Sequence, residues 1–200
     1  MGRIYFLMGK SASGKDTIYK KLSSDDSLPL RPYIGYTTRP IRSGEKDGTE
    51  YHFADIEDLR RYEREGRLIE CRTYHTVYGD WYYFSVDTAE TDPKKNDYLA
   101  IGTLESYLKM RQFYGKDYLV PIYLEVDDGL RLRRAIEREM AQAKPGYEEL
   151  CRRFLADSED FCDEKLKEAG IEKRFDNTDL EKCLTEIHEY ISADLNASKE

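Results

Sequence analysis

The chain has 200 residues and a formal net charge of -8, with 32 Lys and Arg against 40 Asp and Glu. That length buries one sizeable core, and the acidic balance argues against a general nucleic-acid or membrane-surface role, since both partners are polyanions. Cys71, Cys151, Cys162 and Cys183 form no C-x-x-C pair and read as reduced packing thiols, and the apolar run before Gly9 is too short for a signal peptide or a span, so a cytoplasmic protein is expected.

In chain order, "IYFLM" is short and apolar and stops at Gly9, as a buried strand feeding a tight turn does. A helix is predicted over residues 15–22. Between residues 31 and 86 the texture changes to short Tyr-rich stretches, "YIGYTTRP", "TEYHF" and "RLIECRTYHTVYGDWYYFSV", with a helix candidate at 56–66, which predicts an inserted mixed β lobe. "YLAI" (98–101) and "YLVPIYLEV" (118–126) read as further buried strands, each followed by a helical pattern, so a parallel sheet flanked by helices is expected. Residues 130–169 are mostly helical, charged and broken at Pro145 and Gly146. A strand "RFD", a helix over 180–195 and a frayed "NASKE" close the chain.

The stretch "GKSASGKDT" carries the first chemical signal. It has the spacing G-x-x-x-x-G-K between a strand and a helix, which turns backbone N–H groups and the positive end of a helix dipole toward one point. Gly9, Lys10, Ser11, Ala12, Ser13, Gly14, Lys15, Asp16 and Thr17 are therefore expected to hold a triphosphate, with Lys15 bridging its outer phosphates. Asp16 stands where a Ser or Thr meets Mg²⁺ in the common form of this loop. Its carboxylate reads either as the metal ligand or as a charge that complements the helix dipole.

The second signal is "TTRPIRSGEKDGTEYHF", which sets Arg39 and Arg42 three residues apart and Tyr51 beyond a Gly-marked turn. Two guanidinium forks and a phenol suit one phosphate monoester. With the loop, this stretch resembles the acceptor motif of the guanylate kinase family, T-T-R-x-x-R-x-G-E-x-x-G-x-x-Y-x-F. The resemblance implies a P-loop kinase core (residues 1–30, 95–128 and 154–196), an acceptor lobe (31–94) and a helical lid (129–153). It implies ATP and a nucleoside monophosphate, GMP or dGMP, as substrates and Mg²⁺ as cofactor, in a monomer or homodimer.

Carried onto single residues, the resemblance makes Arg39, Arg42 and Tyr51 the clamp on the acceptor's phosphate and Glu70 the carboxylate that reads guanine. Either Tyr82 or Tyr83 supplies a further phenol, and Ser85 a base-contacting hydroxyl; Tyr78 and Trp81 read as hairpin residues. Arg134, Arg138 and Arg153 resemble lid arginines that close on the transferring phosphoryl group, although i,i+4 salt bridges with nearby glutamates are the plainer account of them. Asn177 stands where the family contacts the donor's adenine.

The chain departs from the family at two places. Ala100 and Gly102 replace an acidic pair at the end of a strand, and Gly35 replaces a hydroxyl that helps read guanine. The loop's G-K-D form also resembles ribose 1,5-bisphosphokinases, which makes a different phosphomonoester acceptor the first rival. A non-catalytic binding module is the second.

Overall fold

The computed structural model describes residues 2–76 and 79–198, with Thr76 described by its backbone alone; Tyr78, Lys199 and Glu200 lie outside the described residues. In chain order the elements are β1 (Ile4–Gly9), α1 (Lys15–Ser23), β2 (Leu30–Pro32), β3 (Tyr36–Thr37), β4 (His52–Phe53), α2 (Ile56–Arg64), β5 (Leu68–Thr76), β6 (Gly79–Val86), β7 (Asp97–Gly102), α3 (Leu104–Tyr114), β8 (Leu119–Glu125), α4 (Asp128–Met140), α5 (Tyr147–Asp160), α6 (Asp163–Glu168), β9 (Arg174–Asp176) and α7 (Leu180–Ala197). Among the described residues the strands form a parallel sheet in the order β2-β7-β1-β8-β9 and a mixed sheet in the order β4-β3-β6-β5. This is the α/β architecture with an inserted mixed sheet that the sequence predicts.

β1 is central, and every one of its residues is buried. Side chains alternate across a strand, so Ile4, Phe6 and Met8 pack with Tyr107, Met110 and Leu166 on one face. Tyr5 and Leu7 pack with Ile18 and Leu22 of α1 and with α7 on the other. α7 contributes Cys183, Ile187, Ile191 and Leu195 at a spacing of four, one continuous apolar stripe. With helices on both faces, the crevice for a ligand lies at the carboxyl ends of the parallel strands.

Several expectations need correction. Arg31 and Pro32 belong to the parallel sheet through pairing with β7, so the chain leaves that sheet after Pro32. α7 runs through Asn196 to Ala197, because Leu195 still has core to bury, so the first two residues of "NASKE" are helical rather than frayed. Only Cys183 is a fully packed thiol, and burial pushes its pKa up to about 12. Cys71 and Cys151 are exposed. No helix among the described residues is long and apolar enough to cross a membrane.

The carboxyl end of β7 explains the departure at Gly102. A Cβ there would stand 2.7 Å from Cζ of Phe6 and 2.6 Å from Oγ of Ser106. Phe6 is buried against Tyr107, and Ser106 closes the capping box of α3 with Thr103. A carboxylate has no room at this strand end.

Candidate active site

The loop after β1 turns through two left-handed residues, Ala12 at φ 61° and Gly14 at φ 87°. Gly14 is required twice over, because a side chain would be strained at that φ and would also collide with the Asn177 amide. The loop closes with Ser13 N–H donating to Lys10 O at 3.1 Å, and Thr17 N–H to Gly14 O at 3.1 Å. Gly14 caps α1 without a side-chain acceptor, so first-turn N–H groups of that helix remain available to an anion. Ser13 is fully buried, and its hydroxyl oxygen has no hydrogen-bond partner among the described residues.

A cavity of about 300 Å³ lies over this loop, lined by Ser11, Ala12, Gly14, Lys15, Asp16 and Thr17 on one side and by Arg134, Arg138 and Arg153 on the other. Four cations and one carboxylate around one void fit a polyanion. Arg134 is fixed by backbone carbonyls rather than by a glutamate, donating to Asn177 O at 3.2 Å and Thr178 O at 3.4 Å. Arg138 makes no ion pair among the described residues. Arg153 does take the i,i+4 pairing with Glu149 at 3.5 Å, and lies 3.7 Å from Glu139.

Asn177 is 2% exposed and donates its amide to Ser13 O at 2.7 Å, so it braces the loop from below, while its side-chain oxygen has no hydrogen-bond partner among the described residues. Arg131 and Asp157, which sequence reasoning passed over, brace the loop from the helical side. Arg131 is 1% exposed; it donates to Ser11 O at 2.9 Å and pairs with Asp128 at 2.7 Å. Asp157 accepts Ser11 N–H at 2.7 Å and sits 3.7 Å from Arg131. Nothing in a run of four arginines on one helix ranks Arg131 above its neighbours; only the packing of α4 and α5 does.

The mixed sheet builds a second polar site. Pairing of Thr37 with Tyr83, Arg72 with Tyr83 and Glu70 with Ser85 puts Thr37, Ser85, Tyr83, Glu70 and Arg72 on one face. Tyr36, Tyr82 and Phe84 face the other way into a small core with Leu59 and Val86. The ambiguity in "DWYYFS" is thereby resolved by the pleat: Tyr83 faces the polar site, and Tyr82 belongs to the core. Arg39 is 4% exposed and held from three sides, donating from Nε to the Tyr83 hydroxyl at 3.1 Å and from both Nη atoms to Glu45 at 2.6 and 2.7 Å. Its guanidinium carbon also lies 5.3 Å from the Tyr51 ring centre. Arg42 is exposed at the turn, and its backbone N–H donates to Glu45 at 2.8 Å.

Deeper in the same face, the Ser85 hydroxyl donates to Glu70 Oε1 at 3.1 Å, and Arg72 Nε donates to Glu70 Oε2 at 3.1 Å. Glu70 is 6% exposed. Arg72 is a site residue that sequence reasoning missed, although its place two positions after Glu70 in a strand was a usable signal. Burial raises the Tyr51 phenol's pKa, while Arg72 and Arg39 act to lower it.

The Arg39 hydrogen bonds hold Glu45 down to a pKa of about 2, from an ordinary 4.5. A carboxylate lowered by folding stabilises the fold above its unfolded pKa, and that contribution is lost as pH falls through the folded one. Glu45→Gln should accordingly be less stable near neutrality and show a flatter acid limb between about pH 4.5 and 2 in urea unfolding. An unchanged acid limb would mean that the pair contributes nothing to stability.

The family model described as guanylate kinase matches residues 1–83, which include the loop and the acceptor motif. A guanylate kinase of Rhodopirellula baltica is 33% identical over 81 residues, 40% of this chain and 38% of that protein. One of Pseudomonas fluorescens is 26% identical over 174 residues, covering 86% of this chain and 73% of the relative. Such matches mostly span less than half of the relatives' own length. The crystal structure of guanylate kinase from Anaplasma phagocytophilum shares the fold, with a TM-score of 0.61 at 22% identity over 96% of this chain and 86% of that one. Loop, acceptor motif and fold agree across these comparisons: residues 1–83 are similar to the guanylate kinase family, and the chain shares the fold of a solved guanylate kinase.

Proposed function

We propose that this protein transfers the γ-phosphoryl group of ATP to a nucleoside monophosphate, GMP or dGMP, giving ADP and the diphosphate. The observation that supports it is that one chain builds two anion sites: the loop cavity with Lys15 and three arginines, and the Arg39, Tyr51 and Tyr83 cluster on the mixed sheet. Phosphoryl transfer asks little covalent chemistry of a protein and much positioning and charge stabilisation. Lys15 and the N–H groups at the start of α1 hold the donor's phosphates. Arg39 and Tyr83 hold the acceptor's phosphate, so that one of its oxygens attacks the γ-phosphorus as the bond to the β-phosphate oxygen breaks. Arg134, Arg138 and Arg153 neutralise the charge on the equatorial oxygens, and their helices (129–153) act as the lid.

Mg²⁺ fits the residues present. Among the described residues no group of three His, Cys, Asp or Glu could hold a metal on its own, and the strand end at Gly102 excludes a carboxylate. Asp16 is the carboxylate lining the phosphate cavity, with the Thr17 hydroxyl beside it. These two residues would hold an ion bound mostly by phosphate and water, as Mg²⁺ commonly is, and the ion would offset phosphate charge. Asp16→Asn should raise the Mg²⁺ concentration for half-maximal rate several-fold, on the order of 1–2 kcal/mol for one charge-assisted contact. An unchanged requirement with a small loss of thermal stability would assign Asp16 to the helix dipole instead.

The reading as a whole is tested by ADP release with GMP, dGMP, AMP, CMP, UMP and ribose 1,5-bisphosphate as acceptors. Turnover of GMP or dGMP above the rest supports it. Preference for the sugar bisphosphate would transfer the same chemistry to another acceptor, and failure to bind ATP at millimolar concentration in calorimetry would leave a binding module.

A further inference from the structure

We infer that Arg72 reads guanine, its guanidinium taking O6 and N7 while Glu70 beside it takes N1–H and N2–H. The inference rests on the acceptor reading above and adds a specificity-determining residue to it. Guanine presents two acceptors, N7 and O6, followed along its edge by two donors, N1–H and N2–H. A surface complementary to that edge needs a donor fork next to a carboxylate. Arg72 and Glu70 are two residues apart on one strand, on one face, with Nε 3.1 Å from Oε2.

Both side chains have capacity left for a ligand. A carboxylate accepts at about four lone-pair positions, and Glu70 uses one on the Ser85 hydroxyl and one on Arg72. Arginine has five N–H donors. Arg72 uses Nε on Glu70 and reaches the Thr103 hydroxyl from Nη1 at a long 3.4 Å, which leaves the rest of the fork unassigned. Its side chain keeps 18% exposure, whereas that of Glu70 keeps 3%, so the guanidinium is the more accessible of the two.

The two positions beside Glu70 across the sheet offer no free side-chain donor. The Ser85 hydroxyl proton goes to Glu70. Gly35, one residue before the Tyr36–Phe84 pair and therefore opposite Ser85, has no side chain to offer. Arg72 is thus the side chain directly beside Glu70 with N–H donors to spare for an O6 acceptor. Burial disfavours the charge on Arg72, but Glu70 together with Tyr74 and Tyr51 more than offsets this, so the donor fork is maintained. Adenine, with an amino group at position 6 and an unprotonated N1, would set donor against donor and acceptor against acceptor at this pair.

The test compares GMP with 6-thio-GMP and 7-deaza-GMP, which weaken the acceptor at O6 and remove the one at N7 while keeping both N–H groups for Glu70. The wild-type protein should prefer GMP to each analogue by about tenfold in kcat/KM, within the range of a bidentate base contact. Arg72→Met should lower kcat/KM for GMP by about 10- to 100-fold, mostly through KM, and bring both preferences close to one. Arg72→Lys keeps the positive charge beside Glu70, which guards against misfolding, and should lose the N7 preference while retaining part of the O6 preference. If both variants lose activity equally on all three acceptors, keeping the wild-type ratios, Arg72 only neutralises Glu70 and the inference is overturned. If the wild-type protein turns over no GMP, the acceptor reading itself falls, and the assignment of Arg72 with it.

Discussion

Lys15→Met should lower turnover by about two to three powers of ten, as removal of one preorganised electrostatic group does. Lys15 is the first residue of α1 and lines the phosphate cavity, and no side chain among the described residues neutralises it. Its ammonium is therefore available to charge that grows between the β- and γ-phosphates as their bond breaks. Methionine keeps the aliphatic stem and the helix start, so thermal stability should change little while single-turnover rates collapse. Near-normal turnover would move the chemistry away from this loop.

Arg39 should govern the acceptor. Its fork is pre-set by Glu45 and Tyr83, and it is nearly free of solvent. Arg39→Lys keeps the charge and loses the two-pronged hold on Glu45 that positions it, so the acceptor's KM should rise by about 100-fold with the ATP constant nearly unchanged, a loss of binding rather than of chemistry. Steady-state kinetics with each substrate varied in turn decides this. An equal rise in both constants would show that Arg39 supports the lobe's structure instead of its ligand.

Legibility in the sequence followed whether a residue's role is local. β1, β7 and β8 were readable because strands buried on both faces must be short apolar runs, and α1 because a Gly-Lys turn starts it. The choice between Tyr82 and Tyr83 was not readable, since a one-residue shift in register exchanges the two faces. Asn177 and Arg131 owe their places to contacts with Ser13 and Ser11, more than a hundred residues away, and no pattern near either residue encodes them. Glu70 lies in a motif, whereas Arg72, two residues on along the same strand, lies outside it.

The crowding at Gly102 also bears on how this sequence can change. An acidic residue at that strand end cannot be regained by one substitution, because the first atom of any side chain meets Phe6 and Ser106. Phe6 would have to shrink in the same step, and its loss would open a void beneath Tyr107 in the main core. Each half of the exchange is harmful alone, so the two positions are bound together in sequence space. The packing of one aromatic ring thus keeps a carboxylate away from this end of the sheet.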